Sequence, residues 1–226
     1  MSPLNITINP GPSTPSSIET HELFFAHRAL ALLKTRLGSQ GIMDLLAPDI
    51  DAADAYFERM VHDSAGKFHL ATITLNATGL YAQDLLGWYK AHCDQQELMQ
   101  AAHPEHYLNS AGPILETFGE HPTFFTLELT PEPSECCVRN RDAEVYPMAL
   151  CGSARLRSGT VIGYACHQFR EYDGESEGVG FEVVFGAWLP ASCGEEVVET
   201  HRRHMAVEWS NWIRAAYEDR RSRVLA

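Results

Sequence analysis

A long amphipathic helix is predicted close to the C-terminus, over residues 194–222. At helical spacing, His204 and Glu208 lie one turn apart and point in the same direction. The residues that share this broad, largely apolar face are Val197, Val198, His201, Met205, Trp209, Trp212 and Ile213. A helix with so wide an apolar face must be covered by other elements, so the rest of the chain has to pack around it.

Two interpretations of the His204–Glu208 pair are open. An unpaired carboxylate among tryptophans costs free energy, so Glu208 needs a partner. In the first interpretation, His204 is that partner, or the edge of the face reaches water. In the second, both side chains are ligands of a metal held over a cavity, since a His-x-x-x-Glu pair presents two metal-binding groups from one helix face.

The preceding segments predict an α+β fold. Helices are predicted over 16–38, 51–62 and 80–92, with a loop at 93–113 that contains a short helical piece. Strands are predicted over 67–75, 123–130, 145–156, 160–171 and 179–189. An antiparallel sheet that wraps around the C-terminal helix leaves a cavity between sheet and helix, and His204 and Glu208 would line it.

The predicted domain organisation is simple. Residues 1–15 are rich in Pro, Ser and Thr, which is typical of a flexible arm. Residues 16–226 fit one domain, with a helical annex over 16–63 and the core over 64–226.

Charge and composition exclude several functions. A net charge of −13 argues against nucleic acid and anionic membranes as partners, because both bind basic patches. No apolar run approaches the ~20 residues of a membrane span, and no signal pattern begins the chain, so we expect a cytoplasmic protein. The six cysteines form no C-x-x-C pair and are expected to be free thiols. A homodimer is compatible with the acidic surface.

Four stretches between about residues 65 and 215 together resemble one enzyme family. The first is Leu75-Asn-Ala-Thr-Gly79, which leads into Leu85-Leu-Gly-Trp88-Tyr89-Lys-Ala-His92, and the second is Ala102-His103-Pro104-Glu105-His106-Tyr107. The third is Tyr164-Ala-Cys-His167-Gln-Phe-Arg170 together with Gly180-Phe-Glu-Val-Val-Phe185-Gly-Ala-Trp188. The fourth is His204-x-x-x-Glu208. In order and spacing they are similar to motifs of the 2,4-diacetylphloroglucinol hydrolase and phloretin hydrolase family. The resemblance implies a helix-grip fold of the Bet v 1 kind and a Zn²⁺ ion held by two His and two Glu. It also implies hydrolysis of a carbon–carbon bond that joins an acyl group to a polyhydroxylated aromatic ring.

The same resemblance implies a set of metal ligands. His204 and Glu208 match the C-terminal helix pair of the family. Aligned without a gap, the loop ligand of the family falls on Tyr107. A shift of one residue places it on His106, and His103 is also near. A strand glutamate completes the predicted set, and the candidates for it are Glu128 and Glu132. With Glu128, the predicted ligands are His106, Glu128, His204 and Glu208.

The orientation of Glu128 is open at this stage. It shares strand parity with Phe124 and Thr126, whereas Phe125 and Leu127 take the other face. An outward Glu128 could not be a ligand.

Three further residues are implied to act on a small phenolic substrate. The resemblance suggests His167 as the proton donor to a ring carbon, and proton donation requires a group that titrates near neutral pH. Tyr107 and Tyr89 are predicted beside the substrate, in an aromatic wall. The alternative for His167 is a core histidine, and the alternative for the tyrosines is ordinary core packing.

Two other functions remain open. The scaffold could belong to a cyclase, isomerase or lyase of secondary metabolism that uses His and Glu as acid and base. It could also belong to a module that binds hydrophobic ligands without chemistry.

Overall fold

The computed structural model describes residues 18–110, 112–130, 134, 137, 139, 141–174 and 178–225. The predicted arm at 1–15, the alternative ligand Glu132 and Cys136 lie outside the described residues.

The first described element is helix α1 (Ile18–Ser64), whose backbone leaves helical geometry at Gly38 (φ 64°, ψ 174°). The first predicted helix also ends at Gly38. Glycine tolerates positive φ, so the helix can break at this residue. The chain divides into two compact units with the boundary between Asp44 and Leu45, so the predicted annex at 16–63 spans parts of both. In the first unit, helix α1 exposes large apolar side chains: Leu23, Phe24, Phe25, Leu32, Leu33 and Leu37.

The second unit contains an antiparallel sheet of seven described strands. Their order across the sheet is β1-β7-β6-β5-β4-β3-β2. The bounds are β1 Phe68–Thr78, β2 Leu108–Asn109, β3 Pro113–Phe118, β4 His121–Leu129, β5 Met148–Leu156, β6 Val161–Gly174 and β7 Gly178–Pro190. The first strand pairs with the last, from Phe68 opposite Pro190 to Thr78 opposite Gly180.

Besides the part of α1 that follows Asp44, the helices of this unit include α2 (Ala82–His92), α3 (Gln96–Gln100) and the C-terminal α4 (Glu195–Leu225). Helix α4 packs against β1, β3 and α2. The prediction of an α+β fold with an antiparallel sheet and a C-terminal helix packed on it is confirmed. None of the described helices combines the length and apolar character that a membrane span needs.

Strand β3 was not predicted from the sequence, which assigned part of this region to a loop. Every residue of β3 after Pro113 is buried, so the strand shows no alternation between apolar and polar faces. Gly119 and Glu120 connect β3 to β4. On the two sides of this turn, Phe118 of β3 pairs with His121 of β4. Gly119 has a φ of 63°, as expected for the first position of a two-residue Gly-X hairpin turn.

The described cysteines are free thiols, as predicted: Cys93, Cys137, Cys151, Cys166 and Cys193. Three of them pack with Trp188 in a small apolar cluster, separate from the main core. Cys151 and Cys166 are directly opposite each other on β5 and β6, and their Sγ atoms are 2.8 Å apart.

Candidate metal centre

Four buried or nearly buried side chains from three parts of the chain meet beneath the sheet. They are His106 from the loop after α3, Glu116 from β3, and His204 and Glu208 from α4, and we call them the tetrad. Their ligand atoms all lie within 4.8 Å of one another. His106 is completely buried, and the side chain of Glu208 is the most exposed of the four at 12%.

The spacing of the tetrad suits a small cation. The Nε2 atom of His106 is 3.0 Å from Nε2 of His204, 3.4 Å from Oε1 of Glu208 and 3.6 Å from Oε2 of Glu116. Nε2 of His204 is 3.7 Å from that same glutamate oxygen. Tetrahedral zinc with bonds of about 2.0–2.2 Å separates its ligand atoms by roughly 3.3–3.6 Å, so the tetrad is close to the size required.

The backbone helps to orient His106 toward the tetrad. Its Nδ1 lies 3.1 Å from the carbonyl oxygen of Met99, and an N–H at that position donates to the carbonyl. The lone pair of the neutral ring is then on Nε2, which is the nitrogen that faces the tetrad. Histidines that bind metals commonly donate their second nitrogen to a carbonyl or carboxylate in this way.

The burial and the charges of the four tetrad residues favour a shared proton or a bound cation. Burial opposes protonation of His106, but the hydrogen bond and charge of Glu208 and the charge of Glu116 outweigh it and raise the pKa of the imidazole. Burial raises the pKa of the Glu116 carboxyl well above its ordinary range. Burial, and then the neighbouring His106 and His201, hold the pKa of His204 well below its usual value. Two imidazoles and two carboxylates that converge on one point are stabilised by a shared proton or by a cation.

His204 and Glu208 both reach the tetrad, as their spacing predicts, but of the two only Glu208 lines the cavity described below, where both were expected. His106 is the loop histidine that joins them. His103 lies next to this site, with its ring stacked on His204 at 3.9 Å between centroids, and His103, His106 and His204 form a second group able to hold a metal.

Glu128 is not part of the tetrad, and this prediction is corrected. The side chain of Glu128 is 55% exposed, and its Oε2 accepts a hydrogen bond of 2.7 Å from Nε of Arg155. Strand parity is the cause, since Phe125 and Leu127 of the same strand face the interior. Glu116, on the neighbouring strand β3, is the glutamate in the site.

Tyr107 is also outside the tetrad. Its hydroxyl lies 3.4 Å from Oγ1 of Thr117, and its carbonyl accepts a hydrogen bond from Gln100. It does not line the cavity described next, so the structure does not place it beside a ligand there.

A cavity lies between the sheet and helix α4, next to the tetrad. Tyr89, His167, Glu116 and Glu208 are in its wall. The other side chains that line it are mainly aromatic and aliphatic, including Phe57, Phe118, Phe125, Leu127, Met205, Trp209 and Trp212. The cavity has a volume of about 100 Å³. This is several times the roughly 10–15 Å³ that one enclosed water requires, so the cavity can hold a small ligand.

Two residues of this region, Glu116 and His201, were not predicted as functional candidates. Glu116 had one available signal, the Gly-X turn that follows Phe118 and marks β3 as one arm of a hairpin. His201 was counted only as part of the apolar helix face, but it lines the cavity. Its position one turn before His204 was the available signal.

The fold and the site define an α+β protein with a candidate metal centre beside an internal, largely apolar cavity. Comparison with protein-family models finds no match for this chain, and comparison with curated proteins finds no significant similarity.

Proposed function

We propose that this chain is a zinc-dependent hydrolase that cleaves a carbon–carbon bond between an acyl group and a polyhydroxylated aromatic ring. The observation that carries the proposal is that two residues of the tetrad, Glu116 and Glu208, also line an aromatic-rich cavity. The fold that we propose is the helix-grip fold of the Bet v 1 kind, which the curled antiparallel sheet and packed C-terminal helix support.

The donor set supports zinc as the metal. Imidazole and carboxylate groups are ligands that zinc accepts at catalytic sites, and both carboxylates and both imidazoles of the tetrad reach one point. When bound there, zinc supplies Lewis acidity toward an acyl carbonyl. Glu116 and Glu208 belong both to the tetrad and to the cavity wall, so a ligand in the cavity lies next to the metal position.

The cavity residues hold and shield the substrate. Tyr89, Trp209 and Trp212 present aromatic surface suited to a flat ring. Burial raises the pKa of Tyr89, so its phenol keeps its proton at neutral pH. Burial, together with His201, lowers the pKa of His167 to about 3, so its ring is neutral. A phenolate forming next to His167 would raise this pKa, and the imidazole could then hold the proton that moves to the ring carbon.

The experiment combines metal analysis with a substrate panel. Protein expressed with zinc should contain about one zinc per chain, and it should split acylphloroglucinols into an acid and a ring product, as read by mass spectrometry. His204→Ala and Glu208→Ala should lose both zinc and turnover. Full turnover in either variant, or in protein stripped of metal by a chelator, would exclude the metal mechanism.

A metal-independent cyclase, isomerase or lyase is the second candidate. The observation that favours it is the presence of two neutral imidazoles in the cavity wall, His167 and His201, which could move protons without a metal. This candidate predicts that chelation leaves turnover intact and that no acid product is released. Reversible binding of a phenolic without any product would instead indicate a ligand-binding module.

A further inference from the structure

Two imidazoles in the cavity wall have unused hydrogen-bonding capacity. His167 on β6 and His201 on α4 both line the cavity, and each is only 8% exposed. Their Nδ1 atoms are enclosed and have no hydrogen-bond partner within the described part of the chain. A neutral imidazole carries one donor and one acceptor, and leaving such groups unpaired in a protein interior is unfavourable. A polar ligand that forms hydrogen bonds with these two rings would therefore bind favourably in this otherwise apolar cavity.

Aromatic neighbours pack around both rings. The ring of His201 stacks on Phe118, with 4.7 Å between centroids. The ring of His167 makes edge contacts with Phe185 and Trp209, each at 5.1 Å. Because packing holds the rings in position, a ligand that binds them finds the partners already placed, which lowers the entropic cost of binding.

The chemistry of the wall selects a neutral ligand. Aromatic side chains pack against both rings, and such surroundings disfavour an added charge. An anion would lose its hydration in this largely apolar cavity, which costs free energy unless a charged partner compensates for it. A hydroxyl group suits both rings, since it donates to a ring nitrogen or accepts from a ring N–H.

We propose that His201 and His167 form a hydrogen-bonding subsite, distinct from the tetrad, that binds two hydroxyl groups of a neutral polyhydroxylated aromatic ring. The class of ligand rests on the proposed function. His201 precedes His204 by three residues on the same helix, so the subsite adjoins the tetrad and would orient the ring relative to the metal position. His201 is thereby assigned a role in substrate recognition.

The test compares two probes of similar shape, 1,3,5-trihydroxybenzene and 1,3,5-trimethylbenzene. Their binding to the full, zinc-loaded chain is measured by calorimetry. Wild type should prefer the trihydroxy probe. His201→Phe should weaken binding of the trihydroxy probe by about 5- to 100-fold, the range for a lost buried hydrogen bond, and should leave binding of the trimethyl probe unchanged. His167→Phe should act in the same direction.

Two controls separate recognition from folding. His201→Gln keeps a donor and an acceptor and should retain part of the preference for the trihydroxy probe. His121→Phe is the matched control, because His121 stacks on Tyr56 at 3.9 Å and does not line the cavity. Circular dichroism and zinc content should be the same in all folded variants. If a Phe variant does not fold, His201→Gln and the probe preference of wild type decide the result.

The outcomes distinguish the subsite from the proposed function. The subsite is overturned if wild type binds both probes equally or binds neither, or if folded His201→Phe keeps the wild-type preference. A preference that depends on His201, in a protein that hydrolyses no acylphloroglucinol, would retain the subsite and reject the hydrolase. Hydrolysis with an unchanged KM in His201→Phe would retain the hydrolase and reject the subsite.

Discussion

The Nε2 atoms of His106 and His204 lie 3.0 Å apart, although 98 residues separate the two histidines in the chain. Two imidazole lone pairs at this distance repel each other unless a proton or a cation lies between them. The raised pKa of His106 and the lowered pKa of His204 are consistent with an imidazolium at position 106 that donates to position 204. A metal ion would replace this proton, so we expect metal binding to release protons.

The choice of glutamate in the tetrad can be tested with a matched pair of variants. Glu116→Gln removes a carboxylate from the tetrad, whereas Glu128→Gln removes one that pairs with Arg155 at the surface. Loss of a group that only supports a ligand costs about 10–100-fold in metal affinity, so Glu116→Gln should cost at least that much. Zinc affinity is measured by competition with a chromophoric chelator. Equal affinities in the two variants would remove Glu116 from the site.

Acid should destabilise the protein through its buried neutral histidines. The pKa of His167 is about 3 and that of His201 about 4, against an ordinary 6.5. Below pH 6.5 the unfolded chain binds protons that the folded chain does not, so the stabilisation is complete above pH 6.5 and is lost as the pH falls toward 4 and 3. Each histidine contributes up to about 1.4 kcal/mol per pH unit in this window.

Urea unfolding of wild type and His167→Gln between neutral and mildly acidic pH measures this effect. The free energy of unfolding should fall less steeply with acid in His167→Gln than in wild type. His69→Gln is the control, since His69 is exposed on β1. If the free energy of unfolding falls equally steeply with acid in wild type and in His167→Gln, His167 is already protonated or exposed in the folded chain.

The β3–β4 turn should depend on glycine. An alanine at position 119 would adopt a φ of 63°, and its Cβ would lie 2.8 Å from Cγ2 of Val197. Gly159 is a matched control, because its φ is 88° but no heavy atom of the described residues lies within 4 Å of an added Cβ. We expect Gly159→Ala to lower the free energy of unfolding by about 1 kcal/mol, and Gly119→Ala to lower it by about 1–3 kcal/mol more. Chemical denaturation gives both values, and a smaller effect at Gly119 would contradict the close contact.

Cys151 and Cys166 should form a cross-strand disulfide under oxidation. Directly opposed residues of an antiparallel pair lie about 4.5 or 5.5 Å apart at Cα, within the range that a disulfide bridges. With diamide as oxidant, each thiol loses a hydrogen, one S–S bond forms and the diazene is reduced to a hydrazine. The reaction should be slow because both thiols are buried.

Peptide mapping under non-reducing conditions identifies the bond. The expected product is a Cys151–Cys166 link that Cys166→Ser cannot form, while Cys93→Ser still forms it. A chain that unfolds before any link appears, or a link that involves Cys93 first, would count against the pairing.

Much of the local structure follows from residue patterns. The four strands after residue 121 and the C-terminal helix occur where alternation and helical spacing predict them. The shared direction of His204 and Glu208 follows from their spacing alone. Strand parity likewise indicates that Glu128 can point outward, and the structure shows that it does.

The direction of each side chain on its own element therefore follows from local sequence, because the helical and strand periods are local properties of the backbone. Which elements meet depends on the packing of the whole fold. Strand β3 is buried on both faces and carries no periodic signal, so Glu116 could not be chosen over Glu128 from pattern. The tetrad forms because strand pairing and helix packing bring the loop at His106 and strand β3 against helix α4, and these are long-range contacts that no local pattern encodes.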